Sequence, residues 1–262
     1  MKNKYLMICM CGLLLAGCTS KYSSYQNSGT KDKEVSSVID LSTKESQEPT
    51  IEETSEPTPQ VSEEPVLDFT SGDSLLLLAN KSHKLPDGYA PSDLVTTTMP
   101  CSNGTAYMRV EANNALTSMY NDAQNDGVSL MISSAYRSES YQTSLYNGYV
   151  SSYGAASADR ISSRPGYSDH QTGLACDFVN GLASDFEESF ESTSSGIWLA
   201  QHAHEYGFIM RYPKGKEEIT GYSYEPWHFR YIGVDYATKM YEQDPTLTFE
   251  EYFNVSGGDY LD

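Results

Sequence analysis

The sequence predicts one α+β domain in which helices flank a small, mainly antiparallel β-sheet. From Leu67 onward the composition is that of a globular protein, and about two hundred residues are enough for one well-packed core. Helical and strand-like hydrophobic patterns alternate irregularly in this part of the chain. It has no glycine-rich phosphate-binding loop, which argues against a doubly wound parallel sheet. We therefore expect the domain to occupy residues 67–262, without a second linker or an internal repeat.

Hydrophobic spacing and capping residues predict the first elements of this domain. An apolar run at 75–79 favours a peripheral strand or helix. Residues 111–125 carry apolar side chains three and four positions apart, as an amphipathic helix does, and an Asp-Gly pair ends the pattern. The apolar, β-prone stretch 128–133 predicts a buried strand. Ser138 is a suitable N-cap for a second helix, whose packed side would include Tyr141.

The same criteria predict the remaining elements. Proline and glycine soon after position 161, and glycine at positions 181 and 207, indicate where several of them end. In chain order we expect a helix over 155–161, a strand over 174–179, a helix over 197–206, strands over 208–212 and 229–232, and helices over 234–242 and 249–253.

The N-terminal segment has the pattern of an export signal. Lys2 and Lys4 precede an apolar run over residues 5–15 that is too short to cross a membrane as a helix. We therefore expect residues 1–17 to be a signal peptide. The segment ends in Leu-Ala-Gly before Cys18, which resembles a bacterial lipobox and implies lipid attachment at that cysteine. An ordinary signal peptide followed by a chance cysteine is the alternative.

Residues 18–66 have the composition of a tether. They are rich in Ser, Thr, Glu and Pro, and they cannot bury enough apolar area to offset the entropy of ordering the chain. We expect a lipidated, disordered tether that keeps the domain at the extracellular face of the membrane, in the cell-wall zone. With 17 basic and 36 acidic residues, the chain is a poor partner for nucleic acid, and we expect membrane contact through the lipid anchor only.

Two histidines and an aspartate have the character of metal ligands. His170 and Asp177 are seven residues apart, so they must come from a turn and the strand after it rather than from one helix. Gly173 between them would let the chain direct both side chains to one point. Asp177 lies among apolar residues, where an unpaired carboxylate is costly and a cation removes the cost. His228 completes two imidazoles and one carboxylate, a set that suits zinc with one position left for water.

Glu225 has the character of a general base beside such an ion. It lies three residues before His228, and Pro226 disfavours a regular helix or a central strand between them. We therefore expect a tight bend that presents both side chains to one site. A carboxylate there can take a proton from the attacking water and pass it to a leaving amine. The constellation predicts metal-assisted hydrolysis of a peptide bond.

Four further residues are candidates for contact with a substrate. Arg137 lies between a predicted strand and a helix start, and its fork-shaped guanidinium suits an oxyanion or a carboxylate. Gln142 and Ser168 can hydrogen-bond a peptide backbone or terminus. Trp227 suits a wall of the site.

The other histidines and the cysteines of the domain are not expected to bind metal. We expect His83, His202 and His204 to be surface or packing residues, and the last two are two apart, so they cannot share an ion on a helix. Cys101 and Cys176 either form one disulfide or stay free, and Cys176 lies in an apolar strand pattern where a buried thiol is at least as well explained.

These residues form motifs that resemble one known family. In chain order the motifs are Ser134-x-Tyr136-Arg137-Ser138 with Tyr141-Gln142, Ser168-x-His170-x-x-Gly173-x-Ala175-x-Asp177, and Glu225-Pro226-Trp227-His228-x-Arg230. They resemble the zinc D-alanyl-D-alanine carboxypeptidases of the VanY type. The likeness runs from Leu75 to Tyr252, and the ligand and base positions show no departure from the family pattern.

The resemblance implies the hedgehog/D-Ala-D-Ala-peptidase fold and one zinc ion bound by His170, Asp177 and His228. It implies that Glu225 is the catalytic base and that Arg137 steadies the substrate or the transition state. The implied activity removes the C-terminal D-amino acid from the stem peptides of peptidoglycan. We expect the protein to act as a monomer.

Several other functions remain open from the sequence. An L,D-carboxypeptidase, a dipeptidase or an endopeptidase acting on the same peptides would use the same chemistry, although export and a tether favour wall-bound peptides over a free dipeptide. A non-catalytic, zinc-containing wall-binding module is the alternative from a different class. Retention of Glu225 and Arg137 argues against it.

Overall fold

The structure, a computed structural model, describes residues 67–180 and 186–261. The predicted signal peptide, the predicted tether and Cys18 therefore lie outside the described residues. Within the described ranges, no helix is both long enough and apolar enough to cross a bilayer.

Helices and short strands alternate along the described chain. In order they are β1 Leu94–Thr96, β2 Tyr107–Arg109, α1 Val110–Asn125, β3 Met131–Ser134, α2 Glu139–Tyr153, α3 Ala155–Ile161, β4 Ala175–Val179, α4 Ser194–His202, β5 Phe208–Tyr212, α5 Glu217–Thr220, β6 Glu225–Tyr231, α6 Val234–Gln243 and α7 Phe249–Phe253. Three 3-10 helices add Asp169–Thr172, Glu188–Ser192 and Ala203–Tyr206.

Four strands form the main sheet in the order β3-β4-β6-β5, and every neighbouring pair is antiparallel. This confirms the predicted α+β class with a small antiparallel sheet. The hairpin-like pair β1-β2 forms a separate two-stranded sheet that the sequence did not predict. The register that matters for the site sets Asp177 of β4 opposite His228 of β6.

Apolar side chains pack on both faces of the main sheet. On one face, α1 buries Leu116 and Met119 in a cluster with Phe208 of β5 and Phe229 of β6. On the other face, Ile209 packs with residues of α6 and α7. Successive strand residues point to opposite faces, so Phe208 and Ile209 belong to different clusters. The sheet is covered on both sides, which holds β4 and β6 rigidly beneath the site.

Two element predictions need correction. The apolar run at 75–79 is neither a strand nor a helix; it is an irregular, mostly buried segment that ends in an isolated bridge between Asn80 and His83. The second helix does begin after an N-cap at Ser138, which accepts a hydrogen bond from the Tyr141 main-chain N–H. Its predicted packed side is wrong, because the Tyr141 side chain is exposed and Gln142 is the buried residue of α2.

Pro226 was expected to exclude a central strand, and this expectation is also wrong. β6 includes Pro226 and lies between β4 and β5. Its ladder with β4 ends at His228 and does not reach the proline. On the β5 side the register shifts, so that Tyr212 pairs with Glu225 rather than with Trp227. Proline, which has no N–H to donate, is tolerated where the ladder is interrupted by such a bulge.

Candidate metal centre and active site

A tight turn carries the first histidine toward the sheet. His170 lies in the 3-10 helix Asp169–Thr172, which ends at Gly173 with φ of 71°. Glycine adopts this left-handed conformation without strain. A Cβ atom at Gly173 would lie 3.0 Å from side-chain atoms of Arg109, Leu94 and Pro91, so there is also little room for a side chain. The turn leads directly into β4, as the seven-residue spacing predicted.

The three predicted ligands converge. Ligand atoms of His170, Asp177 and His228 all lie within 4.8 Å of one another, and all three residues are buried. Asp177 stands between the two imidazoles: its Oδ2 lies 3.1 Å from His170 Nε2, and its Oδ1 lies 3.3 Å from His228 Nδ1. The grouping arises because the turn before β4 and the cross-strand pair of β4 and β6 meet at one point.

The donor atoms of this cluster fit a divalent cation. His170 Nδ1 donates a hydrogen bond to the Ala135 carbonyl oxygen at 2.7 Å, which leaves Nε2 directed at the cluster. His170 Nε2 and Asp177 Oδ1 are buried and make no hydrogen bond. Buried polar atoms without partners are costly in a folded protein, and a metal ion would satisfy both. Two imidazole nitrogens and a carboxylate form a set that suits zinc.

The electrostatics of the cluster follow from burial and from its neighbours. Burial and the nearby Arg137 guanidinium lower the pKa of His170 to about 4. Burial opposes charge on His228, but its hydrogen bonds to Asp169 and Glu225 raise the pKa of this residue to about 9. Burial would raise the pKa of Asp177, but the two imidazoles and Arg137 lower it to about 2. The carboxylate therefore remains ionised at neutral pH.

Glu225 reaches the same cluster from β6. Its Oε2 lies 3.3 Å from His228 Nδ1. Residues three apart on a regular strand point to opposite faces, so the bulge in β6 is what lets Glu225 and His228 face one site. Burial raises the pKa of the Glu225 carboxyl above its usual value. A carboxyl with a raised pKa close to the metal ligands is suited to accept and return a proton near neutral pH.

Arg137 lies just after β3, beside the cluster. Its main-chain N–H donates to the His170 carbonyl oxygen at 3.3 Å, which links the two segments. Its Nη2 lies 3.8 Å from Asp177 Oδ2, and its buried Nε makes no hydrogen bond. The guanidinium is therefore anchored on one side while donor capacity remains for an anionic group.

A cavity of about 250 Å³ opens onto the cluster and is lined by Arg137, Glu225 and His228. Gln142 and Trp227 also line it, as the sequence predicted. The Gln142 side chain is held in place because its Nε2 donates to the Ser163 carbonyl oxygen at 2.7 Å. Its buried Oε1 makes no hydrogen bond. Ser168, in contrast, is buried and does not line the described part of the cavity.

The residues expected to have no metal role lie elsewhere. His83 hydrogen-bonds Asn80, His202 pairs with Glu205, and His204 stacks on Tyr241 at a centroid distance of 3.7 Å. The two cysteines within the described ranges are free: Cys176 is buried in β4 and Cys101 is half-buried. The open question of a disulfide is thus resolved in favour of two thiols.

The sequence did not identify Asp169 as part of this site. It occupies the variable position between Ser168 and His170, yet its Oδ2 lies 3.3 Å from His228 Nε2 and its Oδ1 accepts from Arg230. Arg230, the last residue of the third motif, forms a buried ion pair with Asp169. The sequence signal that could have identified Asp169 is its position as an acidic residue directly before the candidate ligand His170.

A family model described as VanY, D-alanyl-D-alanine carboxypeptidase, matches residues 105–234. The Bacillus subtilis (strain 168) protein YodJ is 43% identical over 187 residues, which cover 69% of this chain and 67% of YodJ. The family-model match includes His170, Asp177 and His228.

Two solved structures have the same fold and are more than 30% identical to this chain. The LD-carboxypeptidase LdcB is 42% identical, with a TM-score of 0.64, and the match covers 70% of this chain and 87% of LdcB. A variant of the vancomycin-resistance D,D-pentapeptidase VanY from a VanB-type cassette, in complex with Zn(II), is 31% identical. Its TM-score is 0.58, and the match covers 69% of this chain and 99% of that one.

Proposed function

Since the chain belongs to the VanY family of D-alanyl-D-alanine carboxypeptidases, we propose that it is a zinc metallo-carboxypeptidase that removes the C-terminal D-amino acid from peptidoglycan stem peptides. One observation carries this proposal. Arg137 and Glu225 line one cavity together with the ligands Asp177 and His228, and His170 lies beside these two in the metal cluster, an arrangement suited to peptide hydrolysis.

His170, Asp177 and His228 would hold the zinc ion, through Nε2, the carboxylate and Nδ1 respectively. When bound, zinc supplies Lewis-acid chemistry, which polarises a scissile carbonyl and lowers the pKa of a water ligand to about 7. The burial of all three residues keeps bulk water away from the charges and so strengthens their interactions.

Glu225 moves the proton in this scheme. Its Oε2 accepts a proton from the attacking water and then delivers it to the nitrogen of the departing D-amino acid. The water oxygen forms a new C–O bond to the scissile carbonyl carbon, and the peptide C–N bond then breaks as its nitrogen takes the proton, so the products are a shortened peptide and a free amino acid. The raised pKa of Glu225, which burial causes, makes its carboxylate a stronger base for the first half of this transfer.

Arg137 binds and orients the substrate. A peptide with a free C-terminus brings one carboxylate into the cavity, and a guanidinium with unused donors suits that group. Gln142 Oε1, which is buried and without a donor, is available to a peptide N–H. Trp227 and Phe186, whose rings lie 5.6 Å apart, form an apolar wall beside them.

A second candidate is an L,D-carboxypeptidase, which would act on a tetrapeptide that has already lost its last residue. The observation in its favour is that this chain is 42% identical to the LD-carboxypeptidase LdcB and 31% identical to the D,D-pentapeptidase VanY. The metal cluster and Glu225 would serve both reactions, so the choice depends on how the cavity holds the penultimate residue.

Defined peptides test both candidates. Purified protein is incubated with a stem pentapeptide, a stem tetrapeptide and free D-Ala-D-Ala, with and without a zinc chelator, and products are read by mass spectrometry. Release of D-Ala from the pentapeptide, blocked by the chelator, is the expected result. Release from the tetrapeptide alone would favour the L,D-carboxypeptidase, and internal cleavage would favour an endopeptidase. No release from any peptide would favour the wall-binding module.

We also propose that the protein is exported and anchored by a lipid at Cys18, acting as a monomer outside the membrane. The support is the sequence of residues 1–18, which has the order of a lipoprotein signal. In the producing cell, wild-type protein should take up a labelled fatty acid and fractionate with membranes. The C18A variant should do neither, and equal labelling of both proteins would refute the anchor.

A further inference from the structure

The second ring nitrogen of His228 is held by a buried carboxylate. His228 Nδ1 faces the metal cluster, 3.3 Å from both Asp177 Oδ1 and Glu225 Oε2. On the far side of the ring, Nε2 lies 3.3 Å from Asp169 Oδ2. The imidazole ring therefore lies between carboxylates on both sides, and only its Nδ1 faces another metal ligand, Asp177.

Asp169 is itself held in place by an arginine. The side chains of Asp169 and Arg230 are both fully buried, and Arg230 Nη1 donates to Asp169 Oδ1. This leaves Oδ2 for the N–H of His228 Nε2. A buried carboxylate with two donors of this kind remains ionised and acts as an acceptor only.

Arg230 is fixed by main-chain carbonyl groups. Its Nε donates to the Tyr231 carbonyl oxygen at 2.9 Å, and its Nη2 donates to the carbonyl oxygens of Leu75 and Leu77 at 3.1 and 2.7 Å. Those carbonyls are free because residues 75–79 form neither a helix nor a strand. The irregular segment thus completes a chain of contacts that runs from the N-terminal part of the domain to His228.

We propose that Asp169, clamped by Arg230, is a positioning residue that holds the proton of His228 on Nε2 and so keeps the Nδ1 lone pair directed at zinc. The inference rests on the zinc site of the proposed function. A carboxylate behind a ligating histidine fixes its tautomer and ring orientation and makes it a stronger ligand. His170 has the simpler counterpart, a main-chain carbonyl at 2.7 Å from Nδ1.

The D169N variant tests this arrangement with almost no change in volume. Arg230 would still donate a hydrogen bond to the side-chain carbonyl oxygen of the new amide, so the amide NH₂ would face His228 Nε2. That contact favours a proton on Nδ1, where it blocks the metal. We expect the dissociation constant for zinc, measured by competition with a chromogenic chelator, to rise about 10- to 100-fold.

The matched control is E250Q, which neutralises a second buried carboxylate that pairs with Arg211 and contacts none of the three ligands. We expect its zinc affinity to equal that of wild type. Circular dichroism at the assay temperature checks that both variants are folded. A D169N variant that is folded and binds zinc as tightly as wild type would overturn the proposal.

A measurement on unaltered protein avoids any folding defect. Nitrogen-15 NMR of the zinc-loaded wild type should show the His228 proton on Nε2 and the metal on Nδ1. A proton on Nδ1 with zinc on Nε2 would overturn the proposal. These readouts are independent of turnover, so weakened zinc binding in D169N together with no peptide cleavage by wild type would support Asp169 while refuting the proposed function.

Discussion

Two buried arginine–carboxylate pairs lie among the residues that the structure describes, and they have different consequences. Arg211 donates to both oxygens of Glu250, at 2.6 and 2.8 Å, and Asn80 Nδ2 adds a third hydrogen bond at 2.9 Å. Arg230 donates to only one oxygen of Asp169, and the other faces His228. The first pair ties α7 to β5, whereas the second reaches a metal ligand.

The comparison teaches that a buried charge pair does not by itself mark a functional site. Glu250 has protein donors at both oxygens, as a structural carboxylate should. The metal cluster is distinguished by buried ligand atoms that lack hydrogen bonds, His170 Nε2 and Asp177 Oδ1. Arg211 Nε is also buried without a hydrogen bond, but it is a donor and cannot bind a metal ion. Unused ligand atoms that converge on one point are the stronger indicator of a metal centre.

The largest expected effect is on turnover, at Glu225. The E225Q variant keeps the shape of the side chain but cannot accept the proton, so peptide release should fall about 100- to 10,000-fold. Zinc content, measured by elemental analysis, should stay at one ion per chain. E250Q, assayed where it is folded, should release the D-amino acid at the wild-type rate. A near-normal rate for E225Q would show that another group is the base.

Loss of the Arg211–Glu250 pair should instead lower the free energy of unfolding. E250Q leaves Arg211 buried without an anionic partner, and such a loss costs about 3–5 kcal/mol. Urea unfolding followed by circular dichroism measures the free energy of unfolding. A change below about 1 kcal/mol would mean that water or another group replaces the carboxylate, and the contrast between the two pairs would then weaken.

Metal removal should lower the melting temperature only of a protein whose metal cluster (His170, Asp177 and His228) is intact. An ion that binds the native state alone, present at about 100 times its dissociation constant, stabilises the fold by about 2.7 kcal/mol. For a domain of this size, a chelator should therefore lower the melting temperature by about 5–10 °C. The D177A variant should melt at the same temperature with and without the chelator. An equal shift in both proteins would place the metal elsewhere.

A smaller effect is expected at the turn that carries His170. G173A must hold a left-handed φ of 71° and fit a methyl group 3.0 Å from three side chains. The conformational cost alone is about 1–2 kcal/mol of unfolding free energy. Alanine at Gly215, where φ is 77° and no atom lies within 4 Å, is the matched control for the backbone cost. Equal losses at both positions would show that the close contacts add nothing.

Much of the site was predictable from the sequence because ligand chemistry imposes strong local patterns. The seven-residue interval from His170 to Asp177 excluded a helix, and the structure has the predicted turn and strand. The amphipathic helix α1 and the short α3 were predicted because their periodicity or their stop signals are strong. These features depend on neighbours within a few residues.

The parts that were missed depend on distant partners or on very short elements. Asp169 contacts His228 and Arg230, which lie 59 and 61 residues away. β1 and β2 have three residues each, too few for a period to emerge. Pro226 lies in a strand because the ladder beside it is interrupted, and local propensity contains no information about that bulge.

The most direct test of the metal centre is anomalous X-ray scattering at the zinc edge, on crystals of the zinc-loaded protein. The predicted result is one strong peak within bonding distance of His170 Nε2, His228 Nδ1 and a carboxylate oxygen of Asp177, with the Glu225 carboxylate facing it. A peak that lacks any of these three ligands, or that contacts His228 through Nε2, would contradict the account.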